Sequence, residues 1–427
     1  MGGSLQDRNR ILVLNNEVFG PRMAGPAIRA LHIAEQLARF HEVRLVGPRV
    51  GKLNRLNLLL HHSSFDDLSS EVSWADIVIL QGFIMEKVPW LQDTEKVIVV
   101  DLYDPMHLEY LTMKGTFDRS SRVRNVEASV RELNTQMVRG DFFLCASQRQ
   151  RDFWLGALAA LGRLNVSNYD ADPSGESLIA VCPFGLPSST PRRTAPGIRG
   201  VIPGIEAADK VVLWAGGVFN WFDPLTLVRA IDKLRQTRSD VRLCFLGMTH
   251  PNPAVPQMRT ALEARRLAAR LKLADRYVFF NEGWVPYDER QNYLLDSDLG
   301  VCTHFDHLET RFSFRTRMLE YLWATVPMIS TAGDYFADLI QREGLGNVVP
   351  AEDVDALAEA IDELLYDTDY SAQCRQNVAR IRGQFVWESV LQPLFEFCAQ
   401  PHRAHDAARL ILPAEDDDRL TVSGGPW

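Results

Sequence analysis

Between His307 and Thr331 the sequence HLETRFSFRTRMLEYLWATVPMIST sets three guanidinium groups, Arg311, Arg315 and Arg317, between two carboxylates, Glu309 and Glu320. Guanidinium is a planar, permanently charged fork that matches phosphate oxygens. The cluster stands where an apolar helical face begins, formed by Met318, Leu319, Leu322 and Trp323. Ser313 is placed to cap that helix, with Arg315 in its first turn. A cation there opposes the helix macrodipole unless an anion lies close by. The expected chemistry is the holding of a diphosphate by a helix N-terminus and its arginines. The competing reading is a surface lattice of Arg311–Glu309 and Arg317–Glu320 ion pairs.

A second group lies in DLYDPMHLE, directly after the apolar run KVIVV. Asp101, Tyr103, Asp104 and His107 would sit at a strand's carboxyl end, where a base or a group steadying a sugar is expected. A loop cap and an ordinary helix-face histidine are the plainer alternatives. A third is the strand-to-helix loop NNEVFGPRMAGPAIR, where Gly25 before Pro26 suits a tight turn with free N–H groups. It lacks GxGxxG, so no dinucleotide fingerprint is supported. Three Asp-x-Asp pairs, Asp170/Asp172, Asp296/Asp298 and Asp367/Asp369, fall in polar loops or at helix ends. They are read as chance copies, and no metal site is expected. The basic amphipathic stretch MRTALEARRLAARLK (258–272) is read as a solvated helix face rather than a membrane contact.

These groups need elements to hold them. A chain of 427 residues is too long for one ordinary core, so two domains are expected. Short continuous apolar runs alternate with helical periods, the mark of parallel sheets covered on both faces. In the first half they are ILVL (11–14), EVRLVG (42–47), DIVILQG (76–82), KVIVVDLYD (96–104), DFFLCAS (141–147) and SLIAVCPFG (177–185). After a Pro/Gly/Ser-rich stretch the alternation restarts with KVVLWAGG (210–217), VRLCFLG (241–247), YVFFNEGW (277–284), DLGVCTH (298–304), VPMIST (326–331) and GNVVP (346–350). The expected division is a first Rossmann-like domain over 1–187, a linker over 188–209 and a second Rossmann-like domain over 210–383. A helix over 384–400 could cross back to the first domain, and 401–427 reads as a flexible tail. Ligands of doubly wound sheets bind beyond the strands' carboxyl ends, so two such domains facing each other make one cleft.

The net charge of −9 argues against a nucleic-acid partner. Six scattered cysteines, without CxxC, suggest a reducing compartment. No signal peptide or membrane-spanning run is evident. The expected location is cytoplasmic, with peripheral membrane contact left open.

The segment DLGVCTHFDHLETRFSFRTRMLEYLWATVPMIST resembles the signature region of the retaining group 1 glycosyltransferases, glycosyltransferase family 4, of GT-B fold. RMAGPAIRALHIAEQLARFHEV, DLYDPMHLE, NWFDPLTLVRAI and NEGWVPYDER add to the likeness, which spans roughly 10–395. The resemblance implies an α/β architecture of two doubly wound domains facing across a cleft. It also implies retaining, metal-independent transfer of a sugar from a nucleoside diphosphate to an acceptor hydroxyl, with no cofactor beyond the nucleotide sugar. By the same likeness Glu320 would hold the ribose, and Arg317, with Arg315 and Arg311 near it, the diphosphate. Trp284 and Val285 would lie by the nucleobase, with Gly217 and Asn220 also at the donor. The loop with Arg22, Gly25 and Arg29 would close on the diphosphate or acceptor, and Glu309, Asp104 and His107 are the candidate catalytic groups.

Two departures stand out. The first glutamate of the family's pair should lie eight residues before Glu320, where this chain has Phe312, leaving Glu309 or Asp306 as nearby substitutes. The family's Arg/Lys pair after the second domain's first strand is replaced by Asn220, Trp221 and Asp223. A non-hydrolysing nucleotide-sugar epimerase and a non-catalytic sugar-nucleotide-binding relative are the alternatives. The acceptor class stays open among glycans, lipid-linked precursors and small metabolites.

Overall fold

The computed structural model describes residues 8–50, 59–62, 68–252 and 255–407. The first seven residues and the run from 408 onward, which holds most of the expected tail, lie outside the described residues. The chain builds two parallel α/β sheets. The first contains β1 (Arg10–Asn15), β3 (Glu42–Gly47), β5 (Leu59–His62), β6 (Ile77–Gln81), β7 (Val97–Asp101), β8 (Phe142–Cys145) and β9 (Ile179–Val181), in the spatial order β5-β3-β1-β6-β7-β8-β9. A short parallel pair, β2 (Val18–Phe19) with β4 (Arg49–Val50), stands apart from it.

The second sheet contains β10 (Lys210–Gly217), β11 (Val241–Gly247), β12 (Val278–Phe280), β13 (Leu299–Cys302), β14 (Met328–Thr331) and β15 (Gly346–Val349), in the order β12-β11-β10-β13-β14-β15. In each sheet the chain starts in the middle, works outward to one edge and then reverses. The reversal lies between β1 and β6 in the first domain and between β10 and β13 in the second, the crevice where such sheets take ligands.

The strands form where the apolar runs were read, because burial on both faces demands uninterrupted Val, Ile and Leu. Leu12, Val78, Ile98 and Phe143 of the first sheet are sealed from water, as are Val212, Leu243 and Val301 of the second. The edge strand Leu59–His62, within the run NLLLHH, was not anticipated. The helix expected to begin at Pro26 covers Gly25–Leu37, with Pro26 in its first turn. All six cysteines are buried and unpaired.

Residues 188–209 are irregular but anchored: Asp296 accepts from the backbone N–H groups of Ile198 and Arg199 at 2.7 and 2.8 Å. The Asp-x-Asp pairs do structural work of this kind, with Asp367 capping the helix Thr368–Ile381. The basic stretch becomes the helix Arg259–Arg270, whose Ala261, Ala264 and Ala268 are buried. Past residue 385 the chain returns to the first domain. Trp387 stacks on His32 at 5.0 Å, Asn9 donates to the Cys398 carbonyl at 2.7 Å, and Arg403 pairs with Asp141 at 2.9 Å. Among the described residues, no helix is long and apolar enough to cross a membrane.

Candidate active site

Between the two sheets' carboxyl ends lies a cavity of about 520 Å³. The first domain lines it with the loop after β1, the turn after β6, Tyr103 and Asp104 after β7, and the helix Met106–Thr112. The second lines it with the Gly216–Gly217 turn, Trp284 and Val285, and the segment Ser313–Arg317 leading to Glu320. Direct bonds hold the walls together. Gln150 donates to the Phe312 and Tyr103 carbonyls at 2.7 and 2.8 Å, Trp284 to the Met23 carbonyl at 3.2 Å, and the Tyr287 backbone N–H to the Pro21 carbonyl at 2.8 Å.

The arginine-rich segment folds differently from expectation. Ser313 ends a short helix, Leu308–Phe312, and does not cap the next one. The following helix, Thr316–Ala324, has Arg315 at its cap position, with no side-chain cap bond. The three arginines therefore part company. Arg311 is exposed and outside the cavity wall. Arg315 is buried and gives both terminal nitrogens to Glu309, at 2.7 and 2.6 Å.

Arg317 is buried with its guanidinium over Phe222 and Trp214, 4.0 and 4.3 Å from the ring centroids. One of its terminal nitrogens donates to the Gly217 carbonyl at 2.5 Å, while the other, Nη1, has no protein partner. Burial pulls its pKa below the usual arginine value. A buried cation with an unused donor at a cavity wall suits an anion. Of the cluster, one guanidinium rather than three is free for a phosphate.

Neither ion pair of the competing surface lattice forms. Glu320 instead accepts from Arg290 at 2.8 Å, and Arg290 lies against Tyr287 and Trp323, 3.6 and 4.5 Å from their ring centroids. Gly216 takes φ +85°, which glycine adopts freely. At Gly217 a Cβ would stand 3.0 Å from the Trp284 indole and 2.8 Å from Phe219, so the turn stays open only without a side chain. Asn220 is turned away from the cavity: its amide donates to Thr116 Oγ1 at 2.8 Å and bridges the domains.

In the first domain Gly25 lines the cavity and Arg22 is exposed outside it. Arg29 does not reach it either: its guanidinium is sealed in a two-bond pair with Asp101, at 2.5 and 2.9 Å, and also donates to the Cys182 carbonyl at 2.9 Å. His107 packs against Phe153 at 5.8 Å between ring centroids, and burial pushes its pKa down to about 4. It is absent from the cavity wall.

Asp104 and Glu109 both line the cavity and hydrogen-bond to each other. Burial, with Glu309 nearby, pushes Asp104 up to about 7. Burial and the Asp104 charge raise Glu109 well above the usual carboxylate range, so the pair shares a proton. Among the described residues no group of three His, Cys, Asp or Glu side chains is arranged to hold a metal ion.

Glu109 and Arg290 escaped the sequence reading. Met106, Glu109, Tyr110 and Met113 recur at spacings of three, four and seven, so an acid on an apolar helical stripe was the available signal for Glu109. Nothing local marked Arg290. Phe312, at the family's missing glutamate, is not part of the cavity wall and packs on Phe153 at 4.4 Å.

Fold and cleft together define a GT-B glycosyltransferase architecture. Residues 209–367, which hold the second sheet, match the family described as "Glycosyl transferases group 1". Among solved structures, sucrose-phosphate synthase from Thermosynechococcus elongatus superposes with a TM-score of 0.63 at 15% identity, over 92% of this chain and 99% of that one. HepE from Anabaena, solved with UDP and glucose, gives 0.65 at 15% identity, over 91% and 99%. A probable sucrose-phosphate synthase 4 from Oryza sativa subsp. japonica is 26% identical over 168 residues, which are 38% of this chain and 15% of the rice protein. The chain thus spans a small part of that curated relative.

Proposed function

We propose that the protein transfers a sugar from a nucleoside diphosphate donor to an acceptor hydroxyl, with retention of configuration and without a metal ion. The observation that carries this reading is Arg317: buried at the cavity wall, packed on two aromatic rings, with one terminal nitrogen unused and no protein anion paired with it. The N-terminus of the helix Thr316–Ala324 and the Gly216–Gly217 turn flank it and supply backbone donors for a diphosphate. Glu320, steadied by Arg290, is the ribose acceptor, and Trp284 with Val285 borders the nucleobase. HepE's complexes with UDP and glucose and with UDP-glucose support this class of donor.

In the reaction the bond from the anomeric carbon to the diphosphate oxygen breaks. The acceptor oxygen bonds to that carbon from the same face, and its proton passes to the departing phosphate. Negative charge grows on the phosphate beside Arg317, so a cation fixed there beforehand lowers the barrier. Asp104 and Glu109 face the sugar and acceptor, while Glu309 acts through Arg315, which it holds in place.

The test is thermal stabilisation by UDP, GDP, ADP and dTDP, with and without EDTA. One nucleotide should raise the melting temperature of the wild type equally with and without chelator, and fail to do so with Arg317→Ala. An EDTA-sensitive shift would remove the metal-free mechanism, and equal shifts in wild type and variant would remove Arg317 from the donor site.

A further inference from the structure

The cavity is chemically two-sided. Its charged end gathers Arg317, Thr316, Glu320 and Arg290 from the second domain. At the other end the helix Met106–Thr112 turns Met106, Glu109 and Tyr110 into the space, with Met113 just beyond on the same face. Met258 and Trp221 of the second domain line that end too. Met113, Met258 and Trp221 are themselves mostly buried, at 7%, 5% and 6% exposure, so the end is a walled recess rather than open surface. Thioethers and aromatic faces adapt to apolar ligands but offer little to hydroxyls, and a free sugar pressed there would lose water contacts without replacement. The carboxyls on this wall are Glu109 and, next to it, Asp104, with Glu17 and the Arg315-paired Glu309 lining the cavity close by.

We infer that the acceptor carries its hydroxyl on an apolar body, aromatic or alkyl, which lies along the helix Met106–Thr112 while Glu109 and Asp104 bind the hydroxyl. This rests on the donor reading above, and it names the acceptor as a hydrophobic alcohol or glycoside rather than a free polar glycan. Met106 and Tyr110 set the specificity, and Glu109 contacts the substrate directly.

Calorimetric titration of three glucosides that differ in the aglycone alone tests this. Methyl, octyl and 4-nitrophenyl β-glucoside are titrated below micellar concentration, with and without a saturating nucleoside diphosphate. The octyl or nitrophenyl compound should bind roughly tenfold tighter than the methyl one, and which of the two wins separates an alkyl from an aromatic acceptor. Met106→Ser/Tyr110→Ser should reduce both to the methyl compound's affinity and keep the wild-type melting-temperature shift with nucleotide, which shows the variant is folded. Glu109→Gln should weaken all three alike. Equal binding of the three compounds, no binding of any, or a double variant that keeps the preference would overturn the inference. Loss of the nucleotide shift in wild type, with the apolar preference intact, would instead strike the donor reading alone.

Discussion

Arg315 and Glu309, six residues apart, meet through two parallel hydrogen bonds of 2.7 and 2.6 Å, and both side chains are buried at the cavity wall. The chain has to turn between the helices Leu308–Phe312 and Thr316–Ala324 to bring them together, so the pair fixes that corner. Breaking a buried pair from one side leaves a bare charge, at a cost of about 3–5 kcal/mol. Glu309→Ala should therefore lose that much stability in urea melts. Glu309→Leu/Arg315→Met, which removes both charges, should recover most of it. A single variant as stable as wild type would show that the pair does not hold the corner.

Arg317 is expected to behave in the opposite way. With its Nη1 unclaimed and its charge buried, it is a strain on the unliganded protein rather than a support. Arg317→Met should leave the melting temperature unchanged or raise it, while weakening nucleoside diphosphate binding by about 10- to 100-fold, the worth of a charge-assisted hydrogen bond. Destabilisation together with undiminished binding would contradict both halves.

Glu320 separates the nucleoside from the phosphates. Glu320→Ala should abolish the advantage of a nucleoside diphosphate over inorganic pyrophosphate, because only the former has ribose hydroxyls for the carboxylate to accept. Competition between the two ligands measures this, and an unchanged ratio would end the ribose assignment.

The Asp104–Glu109 pair makes stability depend on pH with a definite sign. Asp104 rises in the folded chain from 3.8 to about 7. A group raised on folding contributes stability below its unfolded pKa and loses it as pH climbs through the folded one. Thermal melts from about pH 5 to about pH 8 should therefore show wild type losing more stability than Asp104→Asn across the range. Parallel curves would mean the two carboxyls do not share a proton.

Phe312→Glu checks the family position directly. The ring packs on Phe153 at 4.4 Å, on the side of the segment away from the cavity, and a carboxylate there would be desolvated without a partner. The variant should be less stable and no tighter for nucleotides. Improved donor binding would show that a residue at this position can swing into the cavity.

The strands and their grouping into two sheets were legible because continuous Val/Ile/Leu runs such as KVIVV and KVVLW have no other stable use between helices. The placement of the cavity followed, since strand ends locate it. Side-chain assignments were harder, because they depend on partners distant in sequence. Arg29 reads as a loop cation until Asp101, 72 residues on, claims it. Arg315 and Arg317 lie two apart, with Thr316 between them, yet one is neutralised by Glu309 and the other has no anionic partner, because of where the backbone turns. His107 and Glu109 lie two apart on one helix, so they cannot both face the cavity, and periodicity alone favoured neither until the stripe beginning at Met106 was considered.

The returning segment has a mechanical side. The chain passes between the domains twice, through 188–209 and again after residue 385, where Leu186 and Phe385 lie side by side with a backbone bond of 2.8 Å. Two crossings clasped at one place tie the domains together like the knuckles of a door, at a single line on the side away from the opening. Opening the jaws to admit a sugar would break the bonds that Gln150, Trp284 and Tyr287 make across the cleft, while the clasp between Leu186 and Phe385 at the far side would stay closed.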